Sequence, residues 1–152
     1  MQYWLVKSEP DECGIDDFVA AGTQPIRWDG VRNYQARNFM RDMAVGDQVL
    51  LYHSSCKHIG IAGVIEVAVA GYADPAQFDP DSPYFDPKAS LDNPRWTAVD
   101  MVLVEKWPRL IGLDTLRAKA DHLQDFKLIA KGARLSVMPV SPEHWAYIQS
   151  LR

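Results

Sequence analysis

The sequence lacks the features that mark several specialised classes of protein. Its 152 residues include only two cysteines, Cys13 and Cys56, which excludes a disulfide-rich scaffold. Its apolar runs are too short for a membrane-spanning helix. Residues 1–4 show neither the basic nor the hydrophobic part of a secretory signal. We therefore expect reduced thiols, no membrane partner, and a cytoplasmic or nuclear location, cytoplasmic if the source is prokaryotic.

The chain also has no excess of positive charge. Sixteen Lys and Arg residues stand against 20 Asp and Glu residues, for a net charge of −4 and a pI of about 5.5. Proteins that coat nucleic acid by charge alone are usually basic. The composition thus argues against a general nucleic-acid coat protein, although it leaves room for a local basic patch.

What the chain does have is an ordinary globular composition with many tryptophans. Hydrophobic residues make up 47% of the sequence, and the length suits one domain over residues 1–152. Five tryptophans are a high number for this length. Since tryptophan is large, apolar and carries one donor, these residues are expected as core anchors or as stacking surfaces.

Hydrophobic periodicity predicts strands and helices in irregular alternation. Strands are predicted at residues 2–7, 47–54, 59–70, 95–106 and 134–140. Helices are predicted at residues 15–21, 31–43, 113–120, 123–131 and 142–151, the last capped by Ser141 with Pro142 at its first position. The third strand should place its large side chains at Ile59, Ile61, Ile65, Val67 and Val69 on one face. This order predicts an α+β domain with a small, barrel-like sheet and peripheral helices.

Residues 74–94 form the least regular stretch. Five of the ten prolines and five aspartates lie there. Because proline interrupts both helices and central strands, we expect a long loop that is either functional or merely tolerated.

The stretch from Arg27 to Arg41 has the composition of a nucleic-acid-binding surface. Its four arginines and one acid give it a local charge of +3, and it also holds aromatics, amides and a predicted helix start. Guanidinium groups and helix N-termini bind phosphate, amides pair with base edges, and aromatics stack on bases. The alternative is a solvated helix face whose arginines pair with acids elsewhere.

Two shorter segments are candidate pocket edges. In Trp28-Asp29-Gly30, the glycine permits a close backbone approach, although Trp28 could instead anchor the core and Asp29 cap a helix. Lys7 and Ser8 leave the first strand together and offer an amine and a hydroxyl to a polar ligand, although they also fit an ordinary polar strand end.

Metal and catalytic sites have weaker support. His53, Cys56 and His58, even with Cys13, do not match common zinc-ligand spacings. Catalysis would need an Asp29–His53 acid–base pair, or Ser8 or Cys56 as a nucleophile. No recognised catalytic motif is present, so the sequence does not place these residues close to one another. We predict no metal, no cofactor and no catalytic residue.

Five segments together carry a resemblance to one family. They are residues 3–10, 28–38, 46–47 with 52–54, 95–96 and 134–140, and the run Arg32-Asn33-Tyr34-Gln35-Ala36-Arg37-Asn38 is the most specific of them. In order and spacing they resemble the EVE domain. The resemblance implies a PUA-like fold, similar to that of YTH domains, which read N6-methyladenine in RNA through an aromatic cage.

The resemblance also implies a function. EVE domains are implicated in reading modified bases, by flipping the base out of its stack into a pocket. The partner would be DNA or RNA that contains a modified base. Trp28 would be the stacking platform, with Tyr52 and Trp96 as further aromatic candidates. The other ligand-binding candidates are Lys7, Ser8, Asp29, Arg32, Asn33 and His53, and the phosphate-binding candidates are Arg37 and Arg41.

Two other functions remain open at this point. The first is an enzyme that acts on a modified nucleoside or nucleotide, using Asp29, His53 or Cys56. The second is a module that binds a small molecule or a protein, for which no salt-dependent affinity for nucleic acid is expected.

Overall fold

Six strands form one mixed sheet in the computed structural model, which describes all residues from 1 to 152. They are β1 (Tyr3–Ser8), β2 (Ile26–Trp28), β3 (Gln48–His53), β4 (Gly60–Ala73), β5 (Thr97–Gly112) and β6 (Val137–Val140). Their order is β2-β5-β4-β3-β1-β6. The β1–β3 pair is parallel and every other pair is antiparallel.

Five α-helices and three short 3₁₀ turns surround the sheet. The helices are α1 (Pro10–Cys13), α2 (Ile15–Ala21), α3 (Tyr34–Asp42), α4 (Leu113–Ala118) and α5 (Pro142–Ser150). The 3₁₀ turns are Pro75–Phe78, Ala120–His122 and Lys127–Ile129. None of the helices has the length and apolar character that crossing a bilayer requires.

Side-chain alternation along the central strands divides the core into two layers. In β1, Trp4 and Val6 join one cluster with residues of α2 and α3, whereas Leu5 joins the other with residues of α4 and α5. Successive strand residues point to opposite faces, so a strand covered on both sides is apolar at nearly every position. This burial on both faces explains the unbroken apolar runs in β1 and β3.

Helix caps account for two of the helix starts. The side chain of Asn33 accepts a hydrogen bond from Ala36 N (2.9 Å), so α3 begins at Tyr34, three residues later than predicted. Ser141 accepts from His144 N (3.1 Å) with Pro142 at the first helical position, which confirms the predicted start of α5.

The α+β class with peripheral helices is confirmed, while the sheet is open. Strands β2 and β6 are its two edges and do not pair with each other. The barrel-like curvature expected from the sequence is therefore not completed into a closed ring.

Three local predictions were wrong. Helix 123–131 is a single 3₁₀ turn, and Asp125 has a positive φ of 68°, which α-helical backbone does not allow. The large residues of β4 do not share one face, because register shifts turn the strand, and Ile61 lies in the opposite layer from Ile65 and Val67. Ile59 precedes the strand, and Val69 is exposed.

Two elements were missed, namely α1 and the edge strand β2. Each is three or four residues long, too short to show a hydrophobic period.

Candidate functional site

The main candidate site is a cavity of about 570 Å³ at one end of the sheet. It lies where the end of β1, helix α1, the segment from β2 to α3, and the loop 74–94 meet. Six of the residues predicted to bind ligand line it together: Lys7, Ser8, Trp28, Asp29, Arg32 and Asn33. The other lining residues are Glu9, Glu12, Cys13, Ile26, Arg27, Gly30, Val31, Ser54, Tyr84 and Ser136.

Trp28 belongs both to this cavity and to the core. It ends β2, pairs with Val99 of β5, and is 6% exposed. Its ring stacks against Phe18 of α2 with centroids 6.3 Å apart. Trp28 is therefore a core residue that also forms part of the cavity lining.

The charges that line the cavity are balanced. Three basic residues, Lys7, Arg27 and Arg32, face three acidic residues, Glu9, Glu12 and Asp29. A lining without an excess of positive charge suits a neutral polar ligand better than a phosphate group.

Lys7 and Asp29 are two charged residues of the cavity lining whose pKa values are shifted by burial. Neither takes part in the three ion pairs of the protein. Burial lowers the pKa of the Lys7 amine. Burial, and then the nearby charge of Asp74, raise the pKa of the Asp29 carboxyl. Both shifts reflect the partial exclusion of water from the cavity lining.

The Arg32 guanidinium uses most of its donors in hydrogen bonds within the protein. Its guanidinium forms an ion pair of 2.9 Å with the fully buried carboxylate of Asp74 and donates twice to the carbonyl of Tyr84, at 2.7 and 3.0 Å. Asp74 also accepts from Gly30 N (2.9 Å). The arginine therefore anchors the loop 74–94 against the start of the α3 segment.

Tyr84 and Glu12 belong to this site, although no sequence pattern indicated either of them. The Tyr84 hydroxyl donates to Glu12 of α1, so the loop and the helix meet across the cavity. This bond, with burial and the charge of Glu12, raises the pKa of Tyr84 to about 12. A clue was available in the length of the loop, since long ordered loops are often functional.

Cys13, which the sequence suggested only as an additional metal ligand, also lines the cavity. Burial, followed by the charges of Asp17, Glu12 and Asp29, raises its pKa to about 11. The thiol is therefore a protonated, weakly reactive group at neutral pH.

Three of the nine predicted ligand-binding residues lie outside the cavity. Tyr52 is buried in the α4/α5 layer, with the Lys7 ammonium 5.8 Å from its ring. His53 accepts a hydrogen bond from Ile15 N (3.1 Å), and burial lowers its pKa. It lines a separate cavity of about 400 Å³ together with Cys56.

Trp96, the third, lines a separate cavity of about 240 Å³ together with Arg41 and Thr97. Its Nε1 donates to Asp86 (2.8 Å), and its ring stacks on Tyr34 with centroids 4.8 Å apart. The Arg32 guanidinium lies 5.4 Å from the Trp96 ring and that of Arg37 lies 6.0 Å from it. Trp96 thus connects the cavity to the exposed side of α3.

The two phosphate-binding candidates lie on that side of α3. Arg37 donates to the carbonyl of Arg95 (2.9 Å), and its guanidinium lies 4.8 Å from the Tyr34 ring. Arg41 is exposed and donates to Thr97 Oγ1 (3.0 Å). Each contact orients a guanidinium that keeps further donors free, since arginine has five.

The metal-ligating residue types do not come together. No group of three or more His, Cys, Asp or Glu residues is placed to hold a metal ion, and both cysteines are free thiols. Cys56 donates weakly to the carbonyl of His58 (3.4 Å).

Comparisons with known proteins agree with this architecture along the whole chain. The sequence pattern of the EVE domain matches residues 2–151. Thymocyte nuclear protein 1 of Danio rerio is 42% identical over 164 residues, covering 97% of this chain and 71% of the relative. A crystal structure from Pseudomonas putida is 52% identical with a TM-score of 0.94 and covers 98% of both chains.

One similar structure contains a ligand. The human THYN1 protein in complex with 5-methylcytosine-containing DNA is 36% identical to this chain, with a TM-score of 0.94 over 99% of this chain and 97% of the other. The YTH domain of Mmi1, 9% identical with a TM-score of 0.54, shares the fold alone. The predicted resemblance is confirmed, and this chain belongs to the EVE domain family.

Proposed function

We propose that this protein is a non-catalytic module that binds a modified base in nucleic acid, and that the base leaves its stack to enter the 570 Å³ cavity. The observation that carries the proposal is the cavity itself: a buried aromatic platform, Trp28, beside partly dehydrated polar groups, Lys7 and Asp29. The human relative that was crystallised with 5-methylcytosine-containing DNA supports the choice of ligand class.

The size of the cavity favours base flipping. Cavities of about 300–1,000 Å³ enclose single small ligands, and a base pair within a duplex is far too large an object to enter one. A base bound here must therefore be extruded, at a cost of a few kcal/mol for unstacking. Stacking on Trp28 and hydrogen bonds to Lys7 and Asp29 would offset that cost, because each replaces a contact that the base makes in the duplex.

The charge distribution indicates one surface for the base and another for the phosphates. The balanced lining of the cavity suits a neutral base, whereas Arg37 and Arg41 on the exposed side of α3 suit the phosphates next to it. The contact of Trp96 with both Arg32 and Arg37 makes the two surfaces neighbours. A local basic face of this kind reconciles nucleic-acid binding with a net charge of −4.

An enzyme that uses Asp29 with His53 or Cys56 has less support. Asp29 lines the main cavity, whereas His53 and Cys56 line a different one. The acid and the imidazole are thus not arranged around one reacting atom, which acid–base catalysis requires.

Binding to matched duplexes tests the proposal. Fluorescence anisotropy would compare two labelled DNA duplexes that differ only in one 5-methylcytosine in place of cytosine, and the corresponding RNA would form a third arm. We expect tighter binding to the modified DNA and an affinity that falls as salt rises. Equal affinity for both duplexes would contradict modified-base recognition, and conversion of the base, detected by chromatography after incubation, would indicate an enzyme.

A further inference from the structure

The loop 74–94 is built as a rigid support rather than as a solvated connection. Gln77 is fully buried, and its side-chain oxygen accepts from Arg95 N (2.8 Å) and Trp96 N (2.9 Å), while its amide donates to the carbonyls of Asp74 and Trp96. Asp86 holds the Trp96 indole. Buried polar groups with full sets of partners fix a segment in one conformation, so the far part of the loop is held in place.

Tyr84 is the residue that this support brings to the cavity. Its carbonyl is held by the two bonds from Arg32, and its ring lies against the backbone of Gly30. A Cβ at position 30 would lie 2.8 Å from two ring atoms, and Gly30 has a φ of 78°, so only glycine permits this approach. The Tyr84 ring therefore occupies space that is free because Gly30 has no side chain.

Trp28 and Tyr84 are the two aromatic side chains that line the cavity. They come from the edge strand β2 and from the loop, two segments that are remote in sequence. The Tyr84 hydroxyl makes one hydrogen bond, the exposed bond to Glu12, and the Arg32 guanidinium lies 5.6 Å from the centre of the Tyr84 ring. Exposed hydrogen bonds of this kind add little to stability. These features suit a residue that serves a ligand more than one that serves the core.

We propose that Tyr84 is a ligand-contacting residue of the site, a second aromatic wall that stacks on or edges against the bound base, and that Arg32 and Gly30 position it. This inference rests on the proposed function and deepens it, since it assigns the recognition of the flat ring to two aromatic residues instead of one. The hydroxyl bond to Glu12 orients the ring, and the ring makes the contact with the base.

Substitutions at Tyr84 separate the ring from the hydroxyl. Tyr84→Ala should weaken binding to the 5-methylcytosine duplex by roughly 5- to 150-fold, the range that follows from removing one base–aromatic stack. Tyr84→Phe keeps the ring and removes only an exposed hydrogen bond, so binding should change by about two- to threefold at most. Phe85→Ala is the matched control, because Phe85 is the adjacent aromatic residue, is 39% exposed and does not line the cavity.

The outcomes distinguish this inference from the function on which it rests. If the wild type discriminates between the duplexes and Tyr84→Ala binds as well as or better than the wild type, Tyr84 is not a ligand wall, and the proposed function stands. If the wild type binds neither duplex, that result contradicts both the proposed function and the role of Tyr84. If Tyr84→Ala does not fold, as judged by thermal melting, Tyr84→Leu decides: it keeps apolar bulk without a ring, and unweakened binding would overturn the inference.

Discussion

Arg32, just before α3, and Asp74, at the start of the loop 74–94, form an ion pair across 42 residues of sequence. The guanidinium is 22% exposed and the carboxylate is completely buried. Removing one member of a buried pair leaves the other charge without compensation. The stability of the loop 74–94 should therefore depend on Arg32.

Arg32→Ala should lower the free energy of unfolding by about 3 kcal/mol, measured by urea denaturation. Lys106→Ala is the matched control, since the pair of Lys106 with Asp16 is exposed, and its removal should cost less than about 1 kcal/mol. Equal effects of the two substitutions would show that Asp74 does not depend on Arg32 for compensation.

Trp28→Ala should weaken binding to a modified duplex by about tenfold or more, because a base–aromatic stack is worth roughly 1–3 kcal/mol. Since Trp28 is buried against Phe18, the same change should also destabilise the fold, by about 3–5 kcal/mol. Anisotropy must therefore be paired with thermal melting.

Trp28→Phe keeps an aromatic platform at a smaller packing cost and should retain most of the affinity. Trp145→Phe, in the opposite core layer, is the control for a tryptophan substitution as such. A folded Trp28→Ala variant with unchanged affinity would remove Trp28 from the site.

The double substitution Arg37→Ala with Arg41→Ala should make binding less salt-dependent. The slope of log affinity against log salt should fall by about one unit for each phosphate that the variant no longer binds, for modified and unmodified sequences alike. Arg109→Ala removes an exposed arginine that lines another cavity and should leave the slope unchanged. An unaltered slope in the double variant would mean that Arg37 and Arg41 serve only their hydrogen bonds within the protein, with Asn38, Arg95 and Thr97.

Asp29→Asn should raise the melting temperature at pH 7 and weaken binding. The raised pKa of Asp29 means that the folded state binds this proton more tightly than the unfolded state, so the ionised carboxyl costs stability. That cost is complete above the folded pKa and disappears as the pH falls to the ordinary aspartate value of about 3.9. The gain from Asp29→Asn should shrink over the same interval.

Melting curves from pH 7 downward test the effect on stability, and anisotropy at pH 7 tests the effect on binding. Asp121→Asn corrects for removing one exposed negative charge. A lower melting temperature for Asp29→Asn at pH 7, or unchanged binding, would contradict the role assigned to this carboxyl.

Chelation should leave stability and affinity unchanged, because stacking and hydrogen bonding need no ion. EDTA dialysis followed by melting and anisotropy measures this, and Cys56→Ser should behave as the parent protein does. Stoichiometric zinc in the purified protein would sink this prediction and would favour the enzyme alternative, since nucleobase deaminases use zinc.

Short-range signals were enough to predict part of this structure. The Ser141-Pro142 pair marked the start of α5. The resemblance pointed to Trp28, Lys7 and Asp29, which the fold does bring to one cavity. Their role in binding stays a prediction.

Other positions were beyond the reach of a single sequence. Tyr52 and Trp28 are both aromatic strand residues, but they belong to opposite layers, and which face of a strand meets which layer depends on the whole sheet. The ring of His53 accepts a hydrogen bond from the backbone N–H of Ile15, 38 residues away. Because Tyr84 reaches Arg32 across 52 residues, no local pattern could associate it with the site.

The sequence alone was enough to predict the capped start of α5 and the family, because a helix cap depends on neighbours within a few residues and the family on a specific run such as residues 32–38. Which polar groups of the cavity keep free hydrogen-bonding capacity depends instead on the fold. Arg32 is committed to Asp74 and to the Tyr84 carbonyl, whereas Lys7 and Asp29 take part in no ion pair. The hydrogen bonds and ion pairs that a side chain forms depend on partners that are remote in sequence, and only folding brings those partners within bonding distance.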